Sequence, residues 1–224
     1  MDRAAGRSGV VSAHYDVHPE TPGADDNASG VAVLLEIVRL LRGHAPRCPI
    51  IAAFWTLKEP PYFRTAHMGS AHHARHLRRG GERLRFALSL EMLGYYSDVP
   101  GSQRYPPNFP FRVAYPSEGN FVLLLGDATS TAMTRRFKAA FKGASSTTIR
   151  SINVSRHMAG ADFSDHLNFW QAGYAAFMLT DTAFLRNSHY HRSTDGPETL
   201  DYRRMSHVAD GVTAALLDAC ADPP

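Results

Sequence analysis

The sequence predicts an α/β fold: a three-layer sandwich with one mostly parallel sheet and helices on both faces. Three observations carry this. Short apolar runs recur at residues 9–13, 49–57, 86–90, 121–125 and 175–179, and each reads as a strand. Between them lie segments whose apolar residues return every three to four positions, the period of a helix packed on one side. Strands and helices alternate from end to end, which is the pattern of a mostly parallel sheet covered twice. Size and composition agree. The 224 residues are 44% hydrophobic and 20% charged, the makeup of one globular domain with a core over about residues 9–220.

In order, residues 9–13 (GVVSA) form the first strand, and residues 14–26 a loop carrying Pro19, Pro22 and Gly23. A helix follows from Asn27, with Val31, Leu34, Leu35, Val38 and Leu41 as its core stripe. Asp26 or Asn27 caps its start and Gly43 ends it. Residues 49–57 (PIIAAFWTL) are apolar almost throughout and read as a central strand covered on both faces, stopped by Pro60 and Pro61. Residues 69–79 are a helix and 86–90 (FALSL) a third strand. Residues 95–118 are rich in Pro, Gly and Tyr without a period. A loop of that length in a compact domain is a candidate functional element, with Tyr95, Tyr96, Tyr105 and Phe109 as possible pocket walls or loop anchors. Residues 121–125 form a fourth strand. A helix over 131–141 shows Met133, Phe137, Ala140 and Phe141 on one side. A short helix over 165–172, a fifth strand over 175–179 and a closing helix over 203–220 complete the chain. That last helix buries Val208, Val212, Ala215, Leu216 and Ala219.

Several function classes are excluded early. The net charge is only +3, and the basic residues are scattered apart from clusters at 75–79 and 135–138, so no nucleic-acid stripe is present. The longest apolar run falls far short of the roughly 18 residues a bilayer span needs, and no leader is visible, which leaves the compartment unknown. Two cysteines, Cys48 and Cys220, can make one bridge and no thiolate zinc site. Histidine is the outlier, with twelve. His72, His73 and His76 fall on the helix over 69–79 and read as surface residues.

The chemistry gathers where strands end. His14 and Asp16 follow the first strand, Glu59 the second, Glu91 the third, and His191 lies beyond the fifth. In open α/β sheets the carboxyl ends of strands are where ligands bind. One such residue alone is ordinarily structural; five polar groups from remote segments converging on one edge are not explained by packing. Imidazole and carboxylate are the ligand types of a catalytic zinc site. In His14–Tyr15–Asp16 the outer two side chains share a face, so Asp16 can orient the free nitrogen of His14. Asp25 and Asp26, at a helix start, can cap that helix or face the same pocket.

The runs His14–Tyr15–Asp16, GADDNASGVA (23–32), TLKEPPYFRT (56–65), SLEMLGYYSD (89–98), SDHLNFW (164–170) and HYHRSTD (189–195) resemble the co-catalytic zinc aminopeptidases of metallopeptidase family M28. That family includes bacterial leucyl aminopeptidases, glutamate carboxypeptidase and glutaminyl cyclases. The resemblance covers residues 9–210. It implies a zinc-exopeptidase fold and two zinc ions per chain. Asp26 would bridge the ions, His14 and Glu91 would hold one, and Glu59 and His191 the other. It further implies that Asp16 orients His14, that Tyr190 stabilises an oxyanion, and that Ser164, Asp165 and His166 support the site without ligating. The activity implied is metal-assisted hydrolysis at a free amino terminus of a peptide or small amide.

Two departures stand out. Where the family carries a general-base glutamate immediately before the zinc-ligand glutamate, this chain reads Lys58–Glu59. A protonated lysine cannot take a proton, and losing a positioned base costs about 10²–10⁴ in rate. Three readings are open at this point: a zinc-binding or peptide-binding homologue with little turnover, a hydrolase using neutral Lys58 or hydroxide alone, or another family chemistry such as glutaminyl cyclisation. The second departure is the start. Relatives carry a further helix and strands before the first histidine motif, so the fold is expected to be shortened at its N-terminus, with an open sheet edge.

Overall fold

The computed structural model describes residues 7–106 and 115–221. Its sheet has six strands in the order β2-β1-β3-β6-β4-β5. These are β1 (Ser8–His14), β2 (Ile50–Trp55), β3 (Leu84–Glu91), β4 (Phe121–Gly126), β5 (Thr148–Asn153) and β6 (Ala176–Thr180). Strands β2, β1, β3 and β6 run parallel. β4 pairs antiparallel with β6, and β5 runs parallel to β4. The predicted mixed, mostly parallel sheet is therefore present.

Alternation along the strands divides the core into two layers. Val11, Ala13, Phe86, Leu88 and Leu90 point to the face covered by α1 (Gly30–Leu41), α3 (Thr131–Ala144) and α5 (Tyr202–Cys220). Val10, Ala53, Trp55, Ala87 and Met178 point to the face covered by α2 (Gly69–Arg79) and α4 (His166–Gln171). The five apolar residues expected to face the core from the closing helix are all fully buried on α5. Phe177 joins the first layer's aromatic centre, its ring 5.6 Å from Phe137 and 6.1 Å from Phe86.

Three expectations are corrected. β2 is an edge strand, not a central one: Ala52 and Phe54 are exposed while Ala53 and Trp55 are buried. An uninterrupted apolar run hid a one-sided strand because Ala52 and Phe54 carry no polar mark of their exposed face. β5 was not foreseen. Its sequence, TIRSIN, offers two apolar residues, Ile149 and Ile152, and only its β-branched content hints at a strand. On α1 the buried stripe is Val33, Leu34 and Ile37, with Leu35 56% exposed. That helix is apolar on nearly every side, and Glu36 and Arg39, ion-paired at 2.6 Å in solvent, decide which side faces out.

Cys48 and Cys220 form a disulfide that ties the entry of β2 to the last turn of α5 across 172 residues of chain. Such a bridge is worth about 2–4 kcal/mol. Cys48→Ser/Cys220→Ser is therefore expected to melt about 5–10 °C below the parent in calorimetry, with an unchanged far-ultraviolet dichroism spectrum.

Candidate metal centre

His14 is the last residue of β1 and Glu91 the last of β3, and these strands are parallel neighbours. Both side chains therefore leave the same edge of the sheet. Glu59 follows β2 on the other side of β1. Asp26 reaches this edge from a wide helical turn, Ala24–Ser29, that leads into α1. The turn begins at Gly23, whose φ of +67° suits a residue without a Cβ; a Cβ there would also lie 2.3 Å from Val17.

The turn is docked by its own polar residues. Asn27 donates to the carbonyls of His14 and Leu90 and accepts from the Met92 amide. Ser29 accepts from the Leu93 amide, and Asp25 from the Gly94 amide. Asp195 accepts from the amides of Asp25 and Asp26 at 3.0 and 3.1 Å. Neither Asp26 nor Asn27 caps the helix; both lie outside helical geometry and their side chains serve the site and the strands. Asn27, Ser29 and Asp195 are the residues that sequence reasoning missed. All three fall inside the quoted motifs, but only the folded chain shows that they brace Asp26.

Five residues then meet in two groups that share Asp26. His14 Nε2 lies 3.4 Å from both Asp26 Oδ1 and Glu91 Oε1. His191 Nε2 lies 3.1 Å from Asp26 Oδ2 and 3.2 Å from Glu59 Oε2. One ligand atom each from His14, Asp26 and Glu59 also falls within 4.8 Å of the others. Ligand atoms about 2.1 Å from a tetrahedral ion sit roughly 3.4 Å apart, and the histidine-to-carboxylate distances in both groups are close to that spacing. Both oxygens of Asp26 and Nε2 of His191 are buried without a hydrogen-bond partner. Orphaned acceptors of this kind call for a cation. The donor set fits zinc.

Surrounding groups hold these side chains in place. Ser164 donates to Glu91 Oε2 at 2.6 Å, which is the support expected of its motif. Asp165 receives the Ser70 hydroxyl, and His166 bonds the Ala161 carbonyl and packs edge-on to Trp170; both are structural. Asp16 lies beside His14 as expected, but the closer contact to Nδ1 is its backbone carbonyl at 3.0 Å, with the carboxylate at 3.5 Å. That carboxylate accepts from the Glu59 amide at 2.9 Å, so Asp16 braces two of the five residues. His191 is sandwiched between His18 and Tyr190, at ring centroid distances of 4.0 and 3.8 Å.

Lys58 is buried among the acids. Its ammonium donates to Glu91 Oε1 at 2.7 Å and Glu59 Oε1 at 2.9 Å, and lies 3.8 Å from Asp26 Oδ1. Burial opposes its charge, yet Glu91, Asp26 and Glu59 together hold it protonated well beyond the usual lysine range. Burial would likewise raise Asp26, but Lys58 and the two histidines keep it ionised far below the normal carboxylate value. Against burial, the nearby carboxylates of Asp26 and Glu59 lift His191 to about 9.

Behind the turn, burial pushes Asp25 up to about 6, and burial plus the neighbouring Asp25 pushes Asp181 well above its ordinary value. Folding thus retains acid protons that the unfolded chain releases near 3.8, and stability is lost as pH rises through about 6. His191 acts in the same direction. Its raised value stabilises the fold below 6.5, and that contribution disappears as pH passes about 9. The metal-free protein is expected to lose at least about 3 °C of melting temperature between pH 6 and 9, roughly 1 kcal/mol for a chain of this length. A rising melting temperature in differential scanning fluorimetry would contradict this.

Beside Glu91 and Tyr190 opens an apolar cavity of about 140 Å³, walled by Leu125, Ile152, Met158, Phe163, Met178 and Phe184. An apolar cavity of about 150 Å³ accommodates a benzene-sized group. Tyr105 joins the wall, as does Gln103. Tyr96 instead anchors its loop through the Leu93 carbonyl, and Tyr95 packs edge-on to His189. Phe109 lies outside the described residues. Among the described residues no helix is long and apolar enough to cross a membrane.

Comparison with known proteins adds three findings. The model of peptidase family M28 matches residues 3–216. The chain is 41% identical over 219 residues to the uncharacterized protein YfbL of Escherichia coli, covering 94% of this chain and 66% of that one, and 28% identical over 213 residues to aminopeptidase YwaD of Bacillus subtilis, covering 93% and 40%. Among solved structures, the Legionella pneumophila LapA aminopeptidase shares the fold with a TM-score of 0.72 at 17% identity, covering 98% of this chain and 54% of that one.

Proposed function

The chain belongs to peptidase family M28, and from that premise we propose that it hydrolyses the peptide bond next to a free amino terminus, preferring an apolar first residue, with zinc held at two positions that share Asp26. The observation that carries this is the pair of half-sites, His14–Asp26–Glu91 and His191–Asp26–Glu59, opening beside an apolar cavity. The name of YwaD, an aminopeptidase, supports the same reading.

Zinc, when bound, polarises a scissile carbonyl and acidifies water. The chain's own residues supply the rest. Asp26 gives one oxygen to each half-site. The cavity takes the first side chain of the substrate and so places its carbonyl at the metal edge. Burial pushes the Tyr190 phenol up, so it keeps its proton and can donate to a developing oxyanion. Lys58 can protonate a leaving amine but has no lone pair for a water proton while its ammonium is held by Glu59 and Glu91. Turnover is therefore expected to be slow relative to a chain with glutamate at that position.

The test is release of nitroaniline from leucine 4-nitroanilide, with the alanine and glutamate anilides for comparison. Release that favours leucine, stops with a chelator and returns with zinc supports the proposal. Lys58 also favours a second reading, a zinc-dependent peptide binder without turnover. Bound zinc with no release from any anilide, and peptide retained in equilibrium dialysis, selects that one.

A further inference from the structure

Lys58 does more than vacate the place of a base. Its ammonium lies on Glu91 Oε1 at 2.7 Å and faces Asp26 Oδ1 at 3.8 Å. These are the two carboxylate oxygens that face His14, each 3.4 Å from its Nε2. On Glu59 the lysine takes Oε1, leaving Oε2 to His191. The other oxygen of Asp26, Oδ2, also faces His191. The lysine thus overlaps one half-site and leaves the other open.

Charge balance points the same way. With both histidines neutral, as metal ligands must be, Asp26, Glu59 and Glu91 carry three negative charges, and one ammonium leaves two, the charge of a single divalent ion. Adding a second dication beside a retained ammonium would place an excess of positive charge in a pocket from which water is largely excluded, since Lys58, Glu59, Glu91, Asp26 and His14 are all buried. A cation tethered to the chain also competes at a high effective concentration, which a free ion must overcome.

We propose that Lys58 is a built-in cation standing in for one zinc, so that the protein holds one ion firmly on His191, Asp26 and Glu59 and admits a second at His14 only by displacing the ammonium. The inference rests on the metal-centre reading above and deepens it, assigning an occupancy to each half-site. The second ion is expected to bind at least about a hundredfold more weakly than the first, since two charge-assisted hydrogen bonds must break for it to enter.

The test is zinc titration of the metal-free full chain by calorimetry, with metal content measured after desalting. The parent is expected to retain one zinc, and Lys58→Gln two. His191→Ala should lose the firmly bound ion and His14→Ala should keep it, a pair of readings that serves if Lys58→Gln does not fold. Two zinc ions of equal affinity in the parent overturn the inference and leave the metal centre intact. So does unchanged stoichiometry in folded Lys58→Gln, or loss of the ion in His14→Ala with retention in His191→Ala. No zinc in the parent or in any variant overturns the metal centre itself, and this inference with it.

Discussion

Lys58→Glu is expected to raise turnover of leucine 4-nitroanilide at saturating zinc by at least about tenfold, and by as much as about 10⁴-fold, the range that a positioned base supplies. The parent side chain already reaches the middle of the acid cluster, in contact with Glu59 and Glu91. A glutamate at that position would bring an acceptor to the same edge of the sheet. The substitution has a cost in the metal-free state. It replaces the ammonium seated between Glu59 and Glu91 with a fourth carboxylate, and an uncompensated buried charge is strongly destabilising. The metal-free variant should therefore melt below the parent, and zinc should raise its melting temperature by more than it raises the parent's. Turnover and zinc content must be measured on the same preparation. A fully metallated variant that is no faster than the parent removes Lys58 from any role in rate.

Asp26→Asn is expected to carry the largest loss. Both oxygens of Asp26 are buried without hydrogen-bond partners, and each faces a different histidine, so one substitution weakens both half-sites. Changes to residues that merely orient metal ligands cost about 10–100-fold in affinity, and loss of the shared carboxylate should exceed the upper figure, with anilide release falling below detection. The fold should survive. The turn is held by Asn27 and by Asp195 on its backbone amides, none of which involves the Asp26 side chain. A native dichroism spectrum with parent-like zinc affinity would show that Asp26 is not the shared ligand. Asp195→Ala makes the complementary change: it leaves every proposed ligand in place but frees the turn.

Much of this arrangement was legible in the sequence because parallel strands bring their ends together. Once residues 9–13, 49–57 and 86–90 read as strands, His14, Glu59 and Glu91 had to emerge on one edge, whatever the strand order. Order itself was harder to read. β2 lacks any charged residue on its exposed face, so its apolar run concealed an edge position. β5, with Thr148 and Arg150 exposed, left too little apolar signal to register. The face of α1 was ambiguous because ten of its twelve residues are uncharged and small or apolar in type, and only Glu36 and Arg39 mark solvent. The position of Lys58 was visible as an anomaly of residue type, but its orientation was not. Spacing along a chain does not reveal that an ammonium will pair with its neighbour Glu59 and with Glu91 at the end of β3. Nor does it reveal that Asn27, beside Asp26, will stitch β1 to β3 through its amide.

The reversal of β4 against β6 has a consequence for how such a protein can be altered. Because β4 runs the other way, the long connection from β3 to β4 begins and ends at the rim that bears Glu91, and Gln103, Tyr105 and Pro106 of that connection wall the apolar cavity. None of the proposed ligands lies on it. Substrate wall and metal edge are thus carried by separate residues, and polar substitutions at Tyr105 or Pro106 should redirect substrate choice while the zinc affinities stay as they were.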